Sequence, residues 1–118
     1  MKLKEVQRIL EAEVLYGSEF LEEEVQAGFG CDLMSDVLAF AAGKVLLLTG
    51  LTNSHVIRTA EIIDAGAIVF VRGKRPDKTV VAAAREKKIP LLCTHLLLYE
   101  SCGRLYRAGL PGPSRRRG

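Results

Sequence analysis

Residues 45–76, VLLLTGLTNSHVIRTAEIIDAGAIVFVRGKRP, limit the possible fold more than any other part of the chain. An apolar run at 45–48 breaks at Thr49-Gly50 and leads into Thr52-Asn53-Ser54, residues suited to capping a helix. A helix-period segment follows up to Gly66, and then a second apolar run at 67–71. Strand, helix and strand in that order predict a parallel βαβ unit with a right-handed crossover. Both strands end in polar or basic loops, 49–53 and 72–75. Parallel strands carry their ends to one edge of the sheet, and that edge is where open α/β folds bind ligands.

The rest of the chain extends this rhythm. Apolar residues at 3, 6, 9 and 10 predict an opening helix over 3–10, and 13–16 reads as a short extended segment closed by Gly17-Ser18. A second extended segment is expected over 20–27, with Val25 inside and Glu22-Glu23-Glu24 along a solvent edge, followed by a loop at 28–30. Asp32 or Ser35 would cap a helix running to about residue 42, with Gly43 as its stop. A helix over 77–88 opens after Pro76, a third parallel strand over 91–94 follows Ile89-Pro90, and a closing helix covers 95–106, with Gly103 as a possible break. The expected fold is α/β, a single three-layer domain over 1–110 with a mainly parallel sheet flanked by helices. Residues 111–118, ending in Arg115-Arg116-Arg117, read as a disordered basic tail.

Of the 118 residues, 48% are hydrophobic, enough to build a core, and no apolar run is long enough to span a bilayer. The start, MKLKEVQRIL, has no signal-peptide core, and the three cysteines share no CxxC spacing, so a reduced, cytoplasmic protein is expected. The net charge of +3 hides a division: residues 1–43 carry three basic and nine acidic side chains, residues 44–110 eleven and five. The acidic half argues against nucleic acid as a partner. The basic half suits an anionic ligand, and opposite halves can pair across a dimer.

Several of these features also carry a family resemblance. The stretch LTGLTNSHVIRTAEIIDAGAIVFVRGKRPDKTVVAAAREKKIPLLCTH resembles a DRTGG domain. The cues are the strand-end Thr-Gly, a helix carrying Arg58-Thr59-Ala60 and the lead-in Ile89-Pro90-Leu91-Leu92. GCDLMSDVLAF and LYESCGRLY fit the same family, although the literal Asp-Arg-Thr-Gly-Gly string is absent. The family is similar in fold to the N-terminal domain of HPr kinase/phosphorylase and occurs beside CBS domains in some pyrophosphatases and in phosphotransacetylases. Stand-alone copies resembling this chain occur among clostridial-type proteins linked to iron hydrogenases. The resemblance implies a regulatory or docking module, dimeric, able to bind an adenine nucleotide. Kinase chemistry is not implied, because no GxxxxGK[ST] is present and Gly43-Lys44 precedes a strand.

The candidate ligand-binding residues are Thr49, Gly50, Thr52 and Asn53 after the first strand, Arg58 one turn into the helix, and Arg72, Gly73, Lys74 and Arg75 after the second strand. Hydroxyls and backbone N–H groups at a helix start can hold phosphate, although ordinary capping by Asn53 or Ser54 uses the same residues. Two guanidiniums and an ammonium can clamp an anion, or simply form a solvated turn. Arg58 reaches the same mouth or pairs on its own helix with Asp64 or, better placed, Glu61. Cys93, His95 and Cys102 lack zinc-ligand spacing, and Cys93 as a nucleophile lacks an orienting third group. No cofactor is expected and the chain reads as a non-enzyme. The alternatives are an adaptor using an apolar patch around Leu96, Leu97 and Leu98, or a small cysteine enzyme with a depressed thiol pKa. Tyr99 and Tyr106, seven apart, share a helix face suited to core or interface packing.

Overall fold

The structure, a computed structural model, describes residues 1–113. In chain order its elements are α1 (Leu3–Leu10), β1 (Glu13–Tyr16), a short turn of 3₁₀ helix (Ser18–Phe20), β2 (Ala27–Gly30), α2 (Met34–Phe40), β3 (Val45–Thr49), α3 (Ser54–Ile62), β4 (Ala67–Phe70), α4 (Lys78–Lys87), β5 (Leu91–Cys93) and α5 (Leu98–Arg107). Five strands form one sheet in the order β1-β5-β4-β3-β2. Strands β2, β3, β4 and β5 are mutually parallel, while β1 runs antiparallel on the outside of β5.

Period-2 alternation along the strands divides the core in two. Leu46, Leu48, Ala67, Val69 and Leu92 face α1 and α5, meeting Leu3, Val6, Leu10 and Leu105. Val45, Leu47, Ile68, Phe70 and Leu91 face α2, α3 and α4, meeting Val37, Val56, Ala60, Val80 and Ala84. Every residue of β3 and β4 is buried, which is why both read as unbroken apolar runs rather than alternating ones. The expected three-layer α/β architecture is the one observed.

Caps place the helix starts. Asn53 Oδ1 accepts the His55 N–H at 3.0 Å, and Asp77 Oδ1 accepts the Val80 N–H at 3.0 Å. Glu5 of α1 reaches back to the Lys2 N–H at 3.1 Å.

Several sequence-based boundaries move. The extended segment expected over 20–27 is instead a 3₁₀ turn and loop, and the strand is Ala27–Gly30, where a loop was expected. Val25 is buried as expected. Pairing with β3, from Ala27 opposite Val45 to Gly30 opposite Leu48, overrides the weak strand preference of Ala-Gly-Phe-Gly. Helix α2 starts at Met34, with Leu33 at its cap and no side-chain cap bond, so neither Asp32 nor Ser35 caps it. Helix α5 starts at Leu98, three residues later than expected, and runs through Gly103 without a break. Residues 111–113 lie against the sheet, since Pro111 O accepts the Gly28 N–H at 2.8 Å; the rest of the expected disordered tail, 114–118, lies outside the described residues. Among the described residues, no helix is long and apolar enough to cross a membrane.

Candidate functional site

Successive parallel strands deliver their following loops to one edge of the sheet. After β4 the chain turns toward the α4 layer, and after β5 toward the α5 layer, so the carboxyl edge divides between these two strands. Backbone bonds close that division. Arg72 N–H donates to Leu96 O at 2.8 Å and Gly73 N–H to Thr94 O at 2.9 Å. Both Arg72 (φ 62°) and Gly73 (φ 69°) are left-handed. For arginine that conformation costs about 1 kcal/mol, a local strain held in place by the paired loops.

Two threonines fix these turns by the same device. Thr49, fully buried at the end of β3, donates its hydroxyl to Asp32 Oδ1 at 2.8 Å and accepts the Leu51 N–H at 3.2 Å. Thr94, just past β5, donates to Leu10 O at 2.7 Å and accepts the Leu96 N–H at 3.2 Å. Buried hydroxyls require such partners, and each here also locks the backbone two residues on.

Asp32 is the residue the sequence reading placed wrongly. Its Oδ1 accepts the Thr49 hydroxyl and also the Gly50 N–H at 2.8 Å, so the carboxylate joins the β2 loop to the β3 loop. The donors offered to a phosphate by the Thr49-Gly50 turn are therefore held by the protein's own anion. Beyond that turn, Arg72 Nη2 reaches Gly50 O at 3.4 Å. The guanidinium lies so close over Gly50 that a β-carbon there would stand 2.7 Å from Nη2 and 2.9 Å from Nε. A side chain at residue 50 would fit only if the Arg72 guanidinium moved off it.

The remaining candidates separate into two groups. Thr49, Gly50, Arg72, Gly73 and Lys74 come together at the carboxyl edge. Arg72, Gly73 and Lys74 are exposed there, and among the described residues Lys74 has no ion-pair partner. Thr52 is half-buried in the same β3–α3 loop. Asn53 is spent as the α3 cap. Arg75 forks onto Glu13 of β1 at 2.8 and 3.2 Å, and this pair holds the Glu13 carboxyl below its ordinary range. Arg58 points elsewhere, into a groove of about 300 Å³ between α3 and α4 with His55, Ala83 and Lys87. Its expected helix partner Glu61 is bonded to Lys87 at 3.1 Å instead.

Cys93 does not resemble a nucleophile. Its thiol donates to Lys74 O at 3.3 Å, and burial pushes its pKa up, with Arg75 only partly opposing the shift. An activated thiol requires the opposite shift. Among the described residues, no group of three or more His, Cys, Asp or Glu side chains could hold a metal ion.

Comparison with known proteins adds the fold's relatives. No protein-family profile and no curated protein sequence matches the chain. Among solved structures it is similar to the CBS and DRTGG domains of the regulatory region of Clostridium perfringens pyrophosphatase, solved with its activator diadenosine tetraphosphate. The TM-score is 0.71 at 16% identity, covering 93% of this chain and 47% of that one. The fold is DRTGG-like. The DRTGG-like chain thus spans about half the length of this neighbour, at an identity where the likeness establishes architecture alone.

Proposed function

We propose that this DRTGG-like domain is a non-catalytic regulatory module that binds a small anionic ligand, an adenine nucleotide, at the carboxyl edge of its sheet. One observation carries this reading. The Arg72 guanidinium is seated on the Gly50 carbonyl by a left-handed backbone where the loops after β3, β4 and β5 meet, on the same loop as Lys74, which has no ion-pair partner among the described residues. Two exposed cations on one loop, whose backbone is tied at Arg72 and Gly73 to the β5 loop, suit a phosphate, because that backbone needs little further ordering to bind. Asp32 and Thr49 act beneath them as positioning groups, Thr52 and Gly73 border the phosphate, and Arg75 joins once its pair with Glu13 opens. Arg58 and Asn53 contribute at most from the flank. The activator bound by the pyrophosphatase regulatory region supports an adenine nucleotide as the ligand class.

The module is cytoplasmic and signals through a homodimer or a partner protein; the family resemblance suggests an iron-hydrogenase-linked partner. A thermal-shift series with AMP, ADP, ATP and diadenosine tetraphosphate tests the reading. Ligand at 100 times its Kd stabilises the fold by about 2.7 kcal/mol. The melting temperature should therefore rise by several degrees, and Arg72→Ala with Lys74→Ala should abolish the rise while leaving the unliganded melt in place. If no nucleotide shifts the wild-type melt and a specific protein co-purifies instead, the adaptor reading replaces this one. That adaptor would not use a patch over residues 96–98, since Leu96 is buried and only Leu97 is well exposed.

A further inference from the structure

One face of α5 is unexplained by the fold. Tyr99, Gly103 and Tyr106 recur at i, i+4 and i+7, so they form a single stripe. Tyr99 is 91% exposed and Tyr106 70%, although aromatic side chains ordinarily supply large buried areas to cores and interfaces. Gly103 between them has no left-handed φ, and a β-carbon there would meet nothing within 4 Å. Glycine is the poorest helix former after proline, yet neither the backbone nor any neighbour requires it here. A glycine between two aromatic side chains leaves room for another backbone to approach closely. The stripe forms one wall of a groove of about 590 Å³ that the edge strand β2 and the segment Leu110–Pro113 complete.

We infer that this face pairs antiparallel with the same face of a second copy of the chain, about a two-fold axis at Gly103. Such a contact is isologous, so each tyrosine stripe must complement itself when reversed. It does. Reversal sets Tyr99 against Tyr106 of the second copy and Gly103 against Gly103. Glu100 and Arg107 lie on one flank of the stripe, near opposite ends of α5, and among the described residues neither has an ion-pair partner. In antiparallel pairing the same flanks meet, so Glu100 faces Arg107 of the second copy, twice per dimer. The four tyrosines supply roughly 600–1,000 Å² of contact at 150–250 Å² each. That lies just below the area of a standard stable interface, about 1,200 Å² or more, so the dimer is concentration-dependent. The surface deepens the homodimeric part of the proposed function and is independent of its ligand.

Sedimentation velocity over a concentration series tests the pairing with the full chain, using Tyr99→Glu, Glu100→Arg, Arg107→Glu and the double exchange Glu100→Arg with Arg107→Glu. The wild type should dimerise, Tyr99→Glu should be monomeric, and each single charge reversal should weaken association several-fold. The double exchange should restore it. Both reversals oppose the α5 dipole, so a recovered dimer cannot come from a better helix. Circular dichroism of each variant confirms that it is folded. A wild-type dimer that ignores all four variants would overturn this surface while leaving homodimerisation in place. A wild type that stays monomeric throughout would overturn the pairing and the homodimer together, and the nucleotide thermal shift would still decide ligand binding separately.

Discussion

Gly50 and Arg72 show how closely single residues define the candidate site. Arg72 takes a left-handed backbone and lays its guanidinium over a glycine that leaves it room. In Gly50→Ala the new methyl would collide with the guanidinium, which is exposed and flexible enough to swing away. Stability should therefore change by no more than about 0.5 kcal/mol, as for most surface substitutions. The nucleotide-induced rise in melting temperature should shrink markedly, because Arg72 is no longer held in place. A Gly50→Ala variant with an undiminished thermal shift would show that Arg72 need not rest on residue 50 to bind. Asp32 marks the limit of reading single residues from sequence. Its pairing with Thr49 and Gly50 bridges 17 and 18 positions, and no local pattern announces such a contact.

At the scale of elements, legibility followed the strength of the local signal. The βαβ unit 45–71 was plain, since buried parallel strands read as continuous apolar runs and the helix between them has an Asn cap. Helix α1 was equally plain from its spacing of Leu3, Val6 and Leu10. Strand β2 is not legible in the sequence, because Ala-Gly-Phe-Gly has almost no strand preference and owes its conformation to β3. This hides Asp32, which falls at the carboxyl edge only once residues 27–30 are a strand. The start of α5 is not legible locally, because Thr94 organises its own turn through Leu10, far away in the chain. At the start of α3, capping and ligand binding compete for the same residue, and the geometry shows Asn53 capping. Asn53→Ala should thus lower stability by about 1 kcal/mol, measured by denaturant unfolding. Unchanged stability would mean that the Asn53 bond to His55 contributes nothing to the fold.

For the whole molecule, the layered body fixes where its loops gather. Two half-cores on opposite faces of the sheet leave its carboxyl edge as the place where the β3, β4 and β5 loops converge. The basic second half of the chain supplies the cations of that edge, and the acidic first half supplies both Asp32 beneath it and Glu13 beside it. Fewer of the candidate groups are open than the sequence suggests, because Asp32, Glu13 and the α3 cap already engage several of them. Arg72 and Lys74 remain. An NMR amide-shift titration with ATP tests this core claim most directly. The expected result is saturable shifts concentrated at Gly50 and residues 72–74, absent when Arg72 and Lys74 are both alanine. Saturable shifts centred elsewhere, such as the α3–α4 groove that holds Arg58, or no shifts at all, would contradict it.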